Sequence, residues 1–164
     1  MMKYAIVYSS RTGNTRLLAD TLHTTLPAED CIYFGTPSPE ALAADRVYVG
    51  FWTDKGTCDE DVAAFLKSLP AGKEVYLFGT AGFGGSAVYF DKILNAAAAN
   101  LNAGVALVGR YMCQGKMPEA VRRKFESMPE SPRRQAMLDN FDQALTHPDA
   151  ADLTRLETEV RAGL

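Results

Sequence analysis

The chain has little of what builds stapled or metal-bound folds: three cysteines, two histidines and one tryptophan in 164 residues. Cys31, Cys58 and Cys113 are far apart and odd in number, which argues against a disulfide framework and against a Cys-x-x-Cys site. His23 and His147 lack metal-ligand spacing to a cysteine or a carboxylate pair, so no metal site is expected. No Ser-His-Asp arrangement can be drawn. No apolar run is long enough to cross a bilayer, and Met1-Met2-Lys3-Tyr4 leads straight into a strand pattern without a signal-peptide layout. Positive charge is not in excess. A formal net charge of -3 and a pI near 5.4 exclude a general nucleic-acid binder. A reducing, cytoplasmic setting is the expectation, with neither nucleic acid nor membrane insertion among the partners.

What the chain does have is alternation. Apolar runs rich in Val, Ile, Tyr and Phe occupy 3–8, 30–34, 45–51, 73–79 and 104–111, as strands buried on both faces should be. Helical patterns fill 14–26, 59–69 and 87–101. Between the second and third runs, Pro37 and Pro39 permit only a short helix. Alternating β and α elements imply an α/β fold with a doubly wound parallel sheet and helices on both faces. The expected organisation is one domain over 1–164, with a core at 2–111 and flanking C-terminal helices within 112–164. There, residues 116–134 mix charges with Pro118, Pro129 and Pro132, before helical patterns at 133–145 and 149–162. His147-Pro148 breaks the last two, and Asp149 or Asp152 can cap the final helix.

Three loops follow strands. The first is Ser9, Ser10, Arg11, Thr12, Gly13, Asn14 and Thr15, at the mouth of a helix. Free N–H groups at a helix start, the helix dipole and hydroxyl donors together make an anion cradle, and Gly13 admits close approach. The alternative is a helix capped by Thr12 or Asn14 that holds nothing. No Lys-Ser/Thr ends the loop, so one phosphate fits better than a triphosphate. The second loop, Phe51 to Cys58, carries Trp52, read either as a stacking platform or as a core or interface aromatic. The third, Gly79 to Ser86, sets Phe83 among glycines that either offer amides to a ligand or simply make turns. Gly82 to Ala87 also spells G-x-G-x-x-A. It follows the fourth strand run, with no acidic residue about 20 positions on, so a dinucleotide site is rejected.

Over roughly residues 2–111 the chain resembles the flavodoxin family, because Ser10-Arg11-Thr12-Gly13-Asn14-Thr15 matches its Ser/Thr-x-Thr-Gly-x-Thr phosphate fingerprint. The resemblance implies five parallel strands in the order 2-1-3-4-5, for which flavodoxin is itself the standard example, with FMN at the switch point. It implies phosphate contacts from Ser9 through Thr15. Ring contacts would come from Phe51, Trp52, Thr53, Asp54, Lys55 and Gly56, and from Thr80, Ala81, Gly82, Phe83, Gly84 and Gly85. No side chain need act as a catalytic acid or base. The implied function is an FMN-binding electron carrier that exchanges electrons with a partner oxidoreductase. Other readings are an FMN-dependent reductase of a quinone, pigment or other small molecule, an accessory subunit of such a reductase (some act on tetrapyrroles such as bilirubin), and a binding module without flavin. The chain departs from the family where Lys55 stands beside Asp54, and where the third loop has neither a carboxylate nor a tip Tyr. Lys55 favours anionic forms and a less extreme low potential. Gly56 reads equally as a peptide-flip site and as a turn glycine. Cys58, near a helix start, reads as a thiol of lowered pKa or as an inert small hydrophobe. Arg110, Lys116, Arg122, Arg123, Lys124, Arg133 and Arg134 form either a solvated face or a docking patch for an acidic partner.

Overall fold

A computed structural model describes residues 2–84 and 86–163. Five parallel strands, β1 (Tyr4–Tyr8), β2 (Cys31–Gly35), β3 (Arg46–Asp54), β5 (Glu74–Ala81) and β6 (Ala106–Gln114), pair in the order β2-β1-β3-β5-β6. The short β4 (Thr57–Cys58) folds back antiparallel on the end of β3. With β4 set aside, this is the expected 2-1-3-4-5 order.

Alternation along each strand divides the core between the two faces. Tyr4, Ile6 and Tyr8, with Tyr48, Tyr76 and Phe78, pack against α1 (Asn14–Thr25) and α6 (Ala150–Ala162). Ala5 and Val7, with Val47, Val49, Phe51, Val75 and Leu77, pack against α2 (Glu60–Ser68) and α3 (Ala87–Ala98). The apolar periodicity of α2 (Val62, Phe65, Leu66) and of α1 (Leu18, Leu22) seats both helices on these faces. Two glycines let rings lie flat on the sheet. A Cβ at Gly79 would fall 2.3 Å from the Phe51 ring, and one at Gly50 2.3 Å from Phe78. The permitted short helix after β2 is a 3₁₀ turn, Pro39–Ala43, capped by Ser38.

The C-terminal third holds the two expected helices and one more. The last helix, α6, flanks the sheet, with Leu156 and Val160 buried in the core beside α1. Between β6 and α6 the chain inserts two helices, α4 (Glu119–Glu126) and α5 (Pro132–Ala144). They close a small apolar core of their own around Phe125, Leu138 and Phe141. Helix α4 had no visible signal. Pro118 and Pro129 bracket it, and its inward face has only Val121 and Phe125 for a periodic pattern.

Candidate functional site

Parallel strands bring the loops after β1, β3 and β5 to one edge, where strand order reverses between β1 and β3. A cleft of about 370 Å³ opens there, lined by residues of all three loops and roofed by Met117, Pro118 and Val121 from the insertion. Its volume falls within the roughly 300–1,000 Å³ of small-molecule sites.

The first loop is held open by its own hydrogen bonds. Ser10 Oγ accepts from the N–H groups of Gly13 (3.1 Å) and Arg16 (3.2 Å), so the cap comes from Ser10 and not from Thr12 or Asn14. Gly13 is the N-cap residue at φ 90, a left-handed conformation that a side chain would strain. Among the described residues, the N–H groups of Ser10, Arg11, Thr12, Asn14 and Thr15 meet no acceptor. That is the donor set a phosphate needs. Thr15 is fully buried, and its hydroxyl donates to the Phe51 carbonyl (3.0 Å) beside Thr80 Oγ1 (3.0 Å). It ties the first loop to β3 and β5. The Asn14 amide donates to the Lys116 carbonyl at 2.8 Å.

The second loop is a hairpin. Thr53 pairs with Cys58 and Asp54 with Thr57, leaving Lys55 (φ 53) and Gly56 (φ 82) as a two-residue turn with both φ positive, as type I′ requires. Gly56 thus lies where a turn needs glycine. Trp52 is half-buried in the cleft wall, with the Arg11 guanidinium 5.4 Å from its ring centroid. Phe51 points the other way, into the core under Gly79. Its carbonyl, not its ring, serves the site edge.

Asp59 holds this loop in place and was not visible as a site residue, because an Asp at a helix start reads as a simple cap. Only 2% exposed, it accepts from the N–H of Trp52 (3.3 Å) and of Val62 (3.3 Å), and its own N–H donates to the Trp52 carbonyl (3.1 Å). Burial pushes its carboxyl up from the ordinary range, against the opposing pull of the Ser9 hydroxyl and those two N–H groups. Trp52 and the start of α2 are therefore joined through one carboxylate.

In the third loop, Thr80, Ala81, Gly82 and Phe83 line the cleft. Gly84 rests against Gln114, where an added Cβ would fall 2.5 Å from the amide carbon. Gly85 lies outside the described residues. The Gly82 carbonyl accepts from Gln114 (3.0 Å) and from Asn140 of α5 (3.1 Å), which fastens the insertion to the loop. Phe83 is 40% exposed at the lip, and Tyr89 of α3 lines the wall. Three cations, Arg11, Lys55 and Lys116, face the cleft against one carboxylate, Asp54.

Other residues singled out earlier lie apart. His23 stacks on Phe34 with centroids 4.3 Å apart. Cys58 is buried and burial raises its thiol pKa, which favours the reading as an inert small hydrophobe. Arg110 bonds Asn95 and Asp91 of α3, and Arg122 pairs with Glu126 and Asp142. His147 does meet a carboxylate pair. Its Nδ1 lies 2.6 Å from Asp152 Oδ2, and Asp149 and Asp152 form the capping box of α6. Asp152 also pairs with Arg155. The grouping is a helix-start ion network whose carboxylates are already engaged.

Fold and cleft define a doubly wound α/β protein with an open loop of N–H donors and an aromatic-walled cleft at its switch point. The chain belongs to the flavodoxin family: the family's model, described as a flavodoxin domain, matches residues 5–161. It is 44% identical over 178 residues to the flavodoxin-like domain-containing protein BilS of Clostridium symbiosum (strain WAL-14163), covering 95% of this chain and 93% of that one. Among solved structures, a short-chain flavodoxin associated with a non-canonical PDU bacterial microcompartment aligns at TM-score 0.51 and 17% identity, covering 89% of this chain and 97% of that one. A Lactobacillus acidophilus NCFM flavoprotein in complex with FMN aligns at TM-score 0.52 and 13% identity, covering 69% and 94%. These two show the shared fold. Family membership and the cleft's donor set support FMN as the cofactor. No helix among the described residues is long and apolar enough to cross a membrane.

Proposed function

We propose that the chain binds FMN in this cleft and passes electrons between partner oxidoreductases. The observation that carries this is the pairing, at one switch point, of unpartnered loop N–H groups with a cleft walled by the only tryptophan. When bound, FMN supplies one- and two-electron transfer. The residues do the rest. The N–H groups of Ser10, Arg11, Thr12, Asn14 and Thr15 take the phosphate, with the Ser10 and Thr12 hydroxyls beside them. Trp52, held by Asp59, offers a flat apolar wall to the ring, and Phe83 and Tyr89 stand opposite or at the lip. Met117, Pro118 and Val121 exclude water from above. Arg11, Lys55 and Lys116 favour added negative charge in the cleft, which raises the potential of whatever is reduced there.

The test is to load the protein with FMN, reduce it with dithionite and mix it with a one-electron protein acceptor such as cytochrome c. Separately, the loaded protein is incubated with NADH or NADPH. The carrier reading expects fast reoxidation by the acceptor and negligible nicotinamide oxidation. Rapid NADH or NADPH oxidation by the protein alone would replace it with the reductase reading.

A further inference from the structure

We infer that the mouth of the main cleft docks a redox protein whose matching surface is acidic around an apolar centre. This rests on the carrier reading above and names the kind of partner. The charged side chains lining the cleft are Arg11, Lys55 and Lys116 against Asp54 alone. The cations come from separate segments: the first loop, the tip of the β3–β4 turn and the start of the insertion. All three are exposed, and none makes an ion pair among the described residues. Arg110 and Arg122, by contrast, are held by carboxylates of α3 and α5. The whole chain carries a formal charge of -3, so the mouth has the opposite sign to the molecule. At physiological salt, charges more than about 8 Å apart are largely screened. An approaching surface therefore meets the local set and not the net charge.

The loop N–H groups are the donors assigned to the phosphate, which leaves these cations for a second source of negative charge. Apolar surface stands beside them. Phe83 is exposed at the lip, and Val88, in the first turn of α3, is 72% exposed, more than any other large apolar side chain among the described residues. Val88 directly precedes Tyr89, which lines the cleft wall. Exposed apolar side chains with charge around them are the makeup of a protein interface. A small anion would pair with the cations and leave Phe83 and Val88 in water. A protein surface covers both, and unpaired cations steer an acidic one into register.

The experiment is an NMR titration of isotope-labelled, FMN-loaded protein with a plant-type 2Fe–2S ferredoxin, a small acidic electron-transfer protein, at low salt. Retention of FMN is checked first by absorbance. The expected result is a saturable set of amide shifts centred on Arg11, Lys55, Phe83 and Val88, lost in about 0.5 M NaCl. Lys55→Asn keeps a residue that accepts positive φ and should weaken binding about 3- to 10-fold. Val88→Asp, which suits the first turn of a helix, should weaken it similarly. Lys67→Asn makes the same charge change in the last turn of α2 and should leave binding unchanged. Shifts that fall elsewhere or are absent, or binding that Lys55→Asn weakens no more than Lys67→Asn, would overturn this proposal and leave the FMN carrier standing. Failure to retain FMN would instead remove the carrier reading, and this one with it.

Discussion

The two ends of the main cleft are built on different plans. At the phosphate end, every constraint is a short buried or backbone hydrogen bond. Ser10 caps its own loop, Thr15 pins it to β3 and β5, and Asn14 pins it to Lys116. At the ring end the bases of the loops are tied, through Asp59 and the Gly82 carbonyl, but their tips are a two-residue turn and an exposed Phe83. One end is preorganised and the other adaptable. Preorganised donors cost little ordering entropy on binding, so the phosphate should carry most of the affinity. Ring contacts should carry less affinity and more of the tuning.

That contrast fails most visibly if the phosphate proves dispensable. Riboflavin, which lacks it, should bind at least about 100-fold more weakly than FMN, roughly 2.7 kcal/mol. Equal affinities in parallel fluorescence titrations would reverse the assignment of the two ends. Next in size is Thr15→Val, which leaves the buried Phe51 carbonyl and Thr80 hydroxyl without their partner. It should cost about 1–3 kcal/mol in urea denaturation, and a neutral outcome would show that the pin does not matter.

Much of this was legible in advance, for reasons that can be named. Runs such as Val47–Val49 and Val75–Phe78 are apolar on both faces, and only strands covered on both sides read that way. The glycine-opened loop at the mouth of α1 was legible because contiguous residues build it. Asp59 was not, since its bond back to the Trp52 N–H, seven residues earlier, forms only once β4 folds onto β3. Phe51 was placed at the ring on its loop position, yet the strand's period-two alternation sends its side chain to the core.

At the ring end the effects should be smaller. Trp52→Leu removes the stacking wall and should weaken FMN roughly 3- to 10-fold, in line with about 0.5–1.5 kcal/mol for an aromatic pair. A loss as large as riboflavin's would erase the contrast. Asp59→Asn is smaller still and appears as a pH dependence. Because the folded-state pKa of Asp59 is raised, the wild type is favoured below the ordinary carboxylate range and loses that contribution as pH rises through the raised value. Asn, also a capping residue, does not ionise. The stability difference should therefore shift towards the variant on going from acid to neutral pH. An unchanged or opposite difference, read from urea midpoints, would show that the carboxylate is not strained by burial.

The most direct measurement is a titration of the flavin-free protein with FMN, followed at the emission of Trp52, the chain's only tryptophan. Saturable quenching at one FMN per chain, with flavin absorbance retained after desalting, is the predicted result. Undiminished Trp52 emission in excess FMN, with no flavin retained, would contradict the account at its centre.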